Sequence, residues 1–190
     1  MSAIARASLC TDARRMRSTN LVIAACAIAF AVFGLLAGRG EPLLIYNASP
    51  SAPVGFYVRD ERAAAPGMFV TVRAAAVAPD YARLRGFDDE TDRFIKRIAA
   101  GAGVRVCAEG DTVRVGARLV LPRQARDSSG RALPAWSECR MLRQGEVFLL
   151  GQTADSFDSR YWGPVHVDVI DGVWRPLDRG TLLRTSDHET

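Results

Sequence analysis

The chain has 190 residues, enough for one domain with an appendage, and 25 basic residues stand against 21 acidic ones. The formal net charge of +4 is misleading, because residues 1–20 carry a net charge of +3 while residues 39–190 hold 21 basic and 20 acidic residues. No cluster of Lys or Arg marks the folded part, so the composition argues against a nucleic-acid partner.

Residues 21–38, LVIAACAIAFAVFGLLAG, form an apolar run without a charged residue. At ~1.5 Å per residue, a helix of this length is just long enough to cross the hydrocarbon core of a bilayer. The alternatives are a buried core helix and a cleaved signal peptide, whose apolar region is usually shorter and ends at an A-x-A site. Because basic flanks stay in the cytoplasm, we expect a cytoplasmic tail over 1–20, a transmembrane anchor over 21–38 and a domain over 39–190 beyond the membrane.

The remainder of the chain predicts a domain of short strands after a turn-rich segment at 42–57. Apolar alternation predicts strands at 67–73 and 165–170, and apolar, strand-like stretches predict two more at 93–100 and 145–151. Val-rich flanks predict a hairpin over 104–121 that turns at 109–111, and a last strand is expected near Trp174 or Leu182. An Ala- and Arg-rich helical or irregular insert is expected over 74–93, and polar loops over 122–140 and 152–164. This pattern predicts a mainly β fold, an antiparallel and barrel-like domain with a small helical insert behind one N-terminal helix.

The four cysteines divide between the predicted segments. Cys10 lies in the tail and Cys26 in the apolar run, whereas Cys107 and Cys139 both lie in the domain beyond the membrane. A single pair in an oxidising compartment is a candidate disulfide, and two buried free thiols are the alternative.

Lys96 is the most informative residue for chemistry, because it is the only lysine among 25 basic residues. Arginine stays protonated in proteins, whereas a desolvated lysine loses its proton readily and can then act as a general base. Its apolar neighbours Phe94, Ile95 and Ile98 place it in or beside an apolar wall. The alternative is a surface lysine that survives by chance.

A general base requires a nucleophile to activate. His166 and His188 are the only histidines; His166 alternates with valines on a predicted strand and His188 lies in the C-terminal tail, so a Ser-His-Asp triad has weak support. A Ser–Lys pair is the simpler arrangement, with Ser49 and Ser51 of the turn-rich segment as candidate nucleophiles.

Three motifs, SPSAPVGFY (49–57), FIKRIAAGAG (94–103) and GEVFLLGQTADSFDSRYWGPV (145–165), occur in the order found in type I signal peptidases, which the chain resembles over about residues 42–184. The S-x-P-x-G-x-Y spelling from Ser51 is similar to the conjugative-transfer, TraF-type branch, since the usual leader peptidase has Ser-Met-x-Pro there. The asparagine of Asn47-Ala-Ser49 also matches a glycosylation acceptor, which the resemblance to a bacterial family makes unattractive.

The resemblance implies a role for each matching residue. Ser51 corresponds to the nucleophile, Lys96 to the general base and Ser49 to the side-chain donor of the oxyanion hole. Ser156 corresponds to a serine that orients the lysine.

The same resemblance makes Asp158 and Arg160 a structural ion pair beneath the site. The chain departs from the family where K-R-V-x-G-x-P-G-D is common, because Ala100, Ala102 and Val104 replace the Gly, Pro and Asp. The geometry of the turn after the base therefore stays open, while the chemistry does not depend on it.

The resemblance further implies a serine endopeptidase of the bacterial inner membrane, single-pass, with a periplasmic catalytic domain and neither metal nor cofactor. Its expected partners are membrane lipid, an exported precursor, most specifically a conjugative pilin precursor with cyclisation as one outcome, and components of conjugation or type IV secretion. The alternatives are a general signal peptidase for secreted preproteins, a self-cleaving Ser–Lys repressor-type protease, and a non-enzymatic scaffold domain anchored in the periplasm.

Overall fold

A computed structural model describes residues 23–28 and 41–177. The chain separates into two units, Met1–Pro42 and Leu43–Thr190. In the first unit, residues 23–28 are helical with exposed side chains. Most of the predicted anchor at 21–38 and the whole predicted tail at 1–20 lie outside the described residues. Among the residues that are described, no helix is both long and apolar enough to cross a membrane.

The described part of the second unit, residues 43–177, is mainly β, as predicted from the sequence. Its larger sheet has seven antiparallel strands in the order β1-β2-β11-β3-β4-β9-β10. The strands are β1 (Leu44–Asn47), β2 (Gly55–Arg59), β3 (Phe69–Arg73), β4 (Arg93–Ala100), β9 (Glu146–Leu150), β10 (Val165–His166) and β11 (Ile170–Pro176).

The smaller sheet of the described region has four antiparallel strands in the order β7-β6-β5-β8. They are β5 (Arg105–Glu109), β6 (Thr112–Val115), β7 (Leu119–Pro122) and β8 (Cys139–Met141). The predicted hairpin over 104–121 is therefore present, with a third strand at its end and a fourth in the segment predicted as a loop.

Three short helices and one 3-10 turn complete the described elements: α1 (Ala74–Val77), α2 (Pro79–Leu84), α3 (Ser159–Trp162) and the turn at Val167–Val169. The first two form the predicted helical insert at 74–93. Pro79 begins α2, where its missing N–H removes no helical hydrogen bond. The strand predicted at 165–170 is only two residues long, because the chain turns at 167–169.

The predicted barrel-like closure is wrong for residues 41–177, whose strands form two open sheets. The larger sheet stays open because its edge strands β1 and β10 do not pair with each other. Its strand β11 lies between β2 and β3 and pairs with strands about a hundred residues earlier. Local alternation predicts strands but carries no information about such long-range pairing.

The core is built on both faces of β9. Phe148 and Leu150 pack with Val106, Val113 and other residues of the smaller sheet, while Val147 and Leu149 pack with a second cluster that includes Val70. A strand buried on both faces has a continuous apolar sequence, as in VFLL. A third cluster joins Ala52, Tyr57, Ile95 and Trp174 and connects the loop after β1 to strand β4.

Candidate active site

Ser51 lies in the loop between β1 and β2 and is only 9% exposed. Its carbonyl oxygen accepts a hydrogen bond from the backbone N–H of Gln152 at 2.8 Å, which ties the loop to the segment after β9. The next residue, Ala52, is buried in the cluster with Ile95 on β4. These two attachments fix the loop beside the strand that carries Lys96.

Ser49 is hydrogen-bonded directly to Ser51. The backbone N–H of Ser51 donates to Ser49 Oγ at 3.3 Å, and the Ser49 hydroxyl donates to Ser51 Oγ at 3.1 Å. The two groups predicted to stabilise an oxyanion, the Ser51 N–H and the Ser49 hydroxyl, are therefore adjacent and hydrogen-bonded to each other.

Asn47, the last residue of β1, is a member of the site that the sequence did not single out. It is 6% exposed, and its side-chain amide forms hydrogen bonds to the backbone of the loop at Ser49, Ala52 and Pro53. The available signal was an asparagine within the turn-rich segment at 42–57, two residues before Ser49, where an asparagine side chain commonly bonds the backbone.

Lys96 lies in the middle of β4, opposite Val70 of β3, and is 3% exposed. Its Nζ donates a hydrogen bond to Ser156 Oγ at 3.0 Å and lies 5.7 Å from the centre of the Phe94 ring. Among the described residues no hydrogen bond joins Lys96 Nζ to Ser51 Oγ.

Burial lowers the pKa of Lys96 from its ordinary value of 10.5 to about 8. The negative charge of Asp158 raises this pKa and the positive charge of Arg160 lowers it, while Asp155 raises it further, so burial dominates. A substantial fraction of the amine is consequently neutral at mildly alkaline pH, and the neutral form is what a general base requires.

The side chain of Ser156 packs directly against the backbone of Gly151, in the space that a side chain at position 151 would occupy. A Cβ on Gly151 would lie 1.9 Å from Ser156 Oγ and 2.5 Å from Ser156 Cβ, so any larger residue at 151 would collide with the serine. The same Cβ would lie 3.1 Å from the Ser51 carbonyl oxygen. Gly151 therefore permits the close approach of the loop that carries Ser51 and the side chain of Ser156.

Asp158 and Arg160 form an ion pair that is almost completely buried, with Arg160 Nε donating to Asp158 Oδ1 at 2.8 Å. The Arg160 guanidinium also donates to four backbone carbonyls, those of Pro122, Thr153, Ala154 and Ser156. Asp158 accepts in addition from the backbone N–H of Gly151 at 2.8 Å. This network fixes the loop at 151–158, from which Ser156 reaches Lys96.

A cleft of about 640 Å³ contains Ser49, Ser51, Lys96 and Ser156 in its lining. One wall consists of the helical insert, through Tyr81, and another of the loop after β7, through Asp127. The Tyr81 hydroxyl donates to Asp127 Oδ2 at 3.0 Å, which joins the two walls. The structure thus brings four of the predicted site residues together in one solvent-accessible recess.

The remaining candidates lie outside the cleft lining. Cys107 and Cys139 face each other on β5 and β8 and their sulfurs are bonded. His166 is exposed, its Nδ1 lies 2.9 Å from Asp168 Oδ2, and it does not line the cleft that contains Ser51. His188 lies outside the described residues.

Comparison with known proteins agrees with this geometry. A family model described as signal peptidase, peptidase S26, matches residues 15–176. A plasmid transfer protein TraF of Escherichia coli is 34% identical over 143 residues, which cover 69% of this chain and 80% of that protein. A second plasmid transfer protein TraF of Escherichia coli is 30% identical over 183 residues, covering 86% of this chain and 96% of that protein.

A crystal structure of a signal peptidase I from Enterococcus faecalis V583 superposes on 57% of this chain and 94% of its own chain, at 18% identity and a TM-score of 0.33. So loose a superposition adds no weight to the sequence matches.

Proposed function

The chain belongs to the peptidase S26 family of signal peptidases, as a TraF-type member, and from this premise we propose that it is a membrane-anchored serine endopeptidase with a Ser51–Lys96 dyad. One observation carries the proposal. The single lysine of the chain is buried in the same cleft as Ser51, with a lowered pKa and a hydroxyl partner at 3.0 Å. A buried amine of this kind supplies the base that a Ser–Lys peptidase requires.

In the proposed reaction, neutral Lys96 takes the proton of Ser51 Oγ as that oxygen attacks the scissile carbonyl carbon. The peptide C–N bond then breaks, the Lys96 ammonium returns the proton to the leaving amine, and an acyl-Ser51 ester remains. Water attacks this ester with Lys96 again as base, which releases the carboxylic acid and restores Ser51.

The carbonyl oxygen of the substrate becomes negative during attack. Its proposed donors are the Ser51 backbone N–H and the Ser49 hydroxyl, each worth ~3 kcal/mol of transition-state stabilisation. In the free enzyme the Ser51 N–H is engaged with Ser49 Oγ at 3.3 Å. A substrate oxygen must therefore replace Ser49 Oγ as the acceptor of this N–H, which requires rotation of the Ser49 side chain.

The proposed substrate is an exported precursor protein, most specifically the pilin precursor of a conjugative system, because both relatives are plasmid transfer proteins. The acyl-enzyme has two possible fates, hydrolysis by water or attack by the amino terminus of the pilin itself. The ring-closed product lacks one water relative to the linear one, so its mass identifies the route.

We further propose that the domain works at the periplasmic surface of the inner membrane. The apolar run at 21–38 is long enough for an anchor, and the β1–β2 region exposes the large apolar side chains of Leu43, Leu44, Tyr46, Val54 and Phe56. Such a cluster beside the nucleophile loop is suited to lipid contact. Protease digestion of spheroplasts tests this placement: the domain should be cleaved from outside while the inner membrane remains closed.

The activity is tested with the full-length chain in detergent micelles, a pilin precursor, and an ordinary secreted preprotein as second substrate. We expect precursor cleavage by the wild type and none by Ser51→Ala or Lys96→Arg, because arginine keeps the charge but cannot accept a proton. Near-normal cleavage by Lys96→Arg would end the general-base assignment. Equal cleavage of both substrates would favour a general signal peptidase, and lack of Ser51 labelling by an acylating β-lactam-type inhibitor would favour the scaffold alternative.

A further inference from the structure

We propose that Asn47 is a positioning residue for catalysis, which acts through Ser49 and Ala52 to hold Ser51 in its reactive orientation. This inference rests on the proposed function, but the observation behind it is separate from the dyad. A buried side-chain amide at the end of β1 has four hydrogen bonds, and all of them go to the backbone of residues 49–53.

The hydrogen bonds of Asn47 leave it no free donor. Its Oδ1 accepts from the backbone N–H of Ser49 at 3.1 Å. Its Nδ2 lies 2.8 Å from the carbonyl oxygen of Ser49, 3.0 Å from that of Ala52 and 3.1 Å from that of Pro53. A side-chain amide has two N–H donors, so the three carbonyls share them. The loop thus bends around the amide of Asn47.

The backbone of Asn47 is held in place by the larger sheet. Asn47 pairs with Gly55 at the end of the β1–β2 ladder, so its backbone is fixed by the sheet. The Tyr57 hydroxyl, on β2, donates to the Pro53 carbonyl at 2.7 Å, the same oxygen that Asn47 contacts. The loop is therefore fastened to both strands of one antiparallel pair, and Asn47 forms the larger set of contacts.

The contacts of Asn47 fall on both sides of the nucleophile. Asn47 holds the Ser49 backbone at its N–H and at its carbonyl oxygen, which keeps Ser49 Oγ within reach of the Ser51 N–H and Ser51 Oγ. No contact of Asn47 restrains the rotation of the Ser49 side chain. Ala52 is held at its carbonyl oxygen, immediately after Ser51. Asn47 does not itself hydrogen-bond Ser51. It acts on the nucleophile by holding Ser49 and Ala52, which lie before and after Ser51 in the loop.

The burial of Asn47 also argues against the glycosylation reading of the Asn-Ala-Ser triplet. With 6% exposure and its Nδ2 engaged with three carbonyls, the amide nitrogen is not available as an acceptor of a sugar.

The test compares Asn47→Ala and Asn47→Asp with the wild type in full-length chain. We expect kcat to fall about 10- to 100-fold in Asn47→Ala, while KM changes less than about threefold, because the reacting groups lose alignment and the cleft does not. Asn47→Asp keeps the Oδ1 acceptor but turns an oxygen towards three carbonyls, so it should lose at least as much activity. The rate of Ser51 acylation by the β-lactam-type probe should fall in the same proportion as kcat.

Thr112→Val is the matched control. It also removes a side-chain hydrogen bond to a backbone carbonyl, that of Glu109, but in the β5–β6 turn of the smaller sheet. Its kcat should equal that of the wild type. Should Asn47→Ala fail to fold by circular dichroism, Asn47→Ser, which brings in no charge and leaves a smaller cavity, decides the question by the same fall in kcat at nearly unchanged KM.

A double-mutant cycle tests the route through Ser49. If Asn47 acts by holding Ser49, the loss in the Asn47→Ala, Ser49→Ala double variant is much smaller than the product of the two single losses. A loss in the double variant equal to the product of the two single losses would overturn the route through Ser49. An unchanged kcat in Asn47→Ala, with an active wild type, would overturn the inference while the proposed function stands. A wild type that neither cleaves nor labels would overturn both.

Discussion

Lys96 Nζ and Ser156 Oγ lie 3.0 Å apart, and both side chains are buried. A hydroxyl accepts a hydrogen bond from an ammonium and donates one to a neutral amine, so Ser156 can remain the partner of Lys96 in either protonation state. A carboxylate in the same place would hold the lysine charged. This pairing therefore orients the amine without suppressing its basicity.

The activity should rise with pH through the pKa of Lys96. Because the neutral amine is the active form in the proposed reaction and the pKa of Lys96 is about 8, kcat/KM should increase about tenfold per pH unit below pH 8 and level off above it. Initial rates of precursor cleavage between pH 6 and 10 measure this rise in kcat/KM, the acid limb of the pH profile. An acid limb with its midpoint near 6, or none, would contradict the assignment of Lys96 as the base.

Removal of the Lys96 charge should stabilise the fold while abolishing activity. The folded pKa of about 8 lies below the ordinary 10.5, so between these values the unfolded chain binds more protons and the stability of the wild type rises with pH. Below pH 8 the folded chain bears the full cost of the buried charge, about 3 kcal/mol for a shift of this size.

Lys96→Met should therefore raise the free energy of unfolding at pH 7 by about 1–3 kcal/mol, a gain reduced by the lost partner of Ser156. The difference from the wild type should shrink as the pH rises from 8 to 10.5. Urea unfolding of the unit Leu43–Thr190 within the full chain measures both effects, with the exposed residue Arg118 changed to Met as a control that should show neither. A Lys96→Met chain less stable than the wild type at pH 7 would refute the burial argument.

Gly151→Ala should impair catalysis by displacing Ser156. The added Cβ would lie 1.9 Å from Ser156 Oγ and must push that side chain away from Lys96, so we expect about a 10- to 100-fold loss of kcat/KM. Gly101→Ala is the matched control, since its Cβ meets only Pro66 at 3.7 Å, directly after the strand that carries Lys96. Wild-type activity in Gly151→Ala would show that the position of Ser156 is unimportant.

The sequence predicted which side chains lie together in the cleft better than it predicted the contacts that hold them there. Lys96 is recognisable because one lysine among many arginines indicates selection for a property that arginine lacks. Asn47 was not recognisable, since β1 reverses the usual pattern: its apolar Leu44 and Tyr46 are exposed and its polar Asn47 is buried. The contact between Gly151 and Ser156 was hidden as well, because it depends on how an irregular loop folds back and follows no helical or strand period.

Reduction of the Cys107–Cys139 bond should lower stability but spare the chemistry. The bond closes a loop between residues 32 positions apart, for which chain entropy gives about 3–4 kcal/mol. Neither cysteine lines the cleft. The Cys107→Ser, Cys139→Ser variant should therefore unfold at a lower temperature and, where still folded, cleave the precursor at the wild-type rate. A folded variant with much reduced kcat would mean that the smaller sheet controls the cleft.

Asp158→Asn should be the most destabilising of these substitutions. It leaves the Arg160 guanidinium buried without its counter-charge and turns an amide group towards donors that Asp158 now accepts, at an expected cost of about 3–5 kcal/mol. Glu109→Gln, in the exposed ion pair with Arg114, is the control and should leave the unfolding midpoint unchanged. Because the charge of Asp158 raises the pKa of Lys96, any folded Asp158→Asn enzyme should also show its acid limb at lower pH than the wild type. A shift of that limb to higher pH would mean that the loop has opened and exposed Lys96 to water, so that the loss of burial outweighs the loss of the charge.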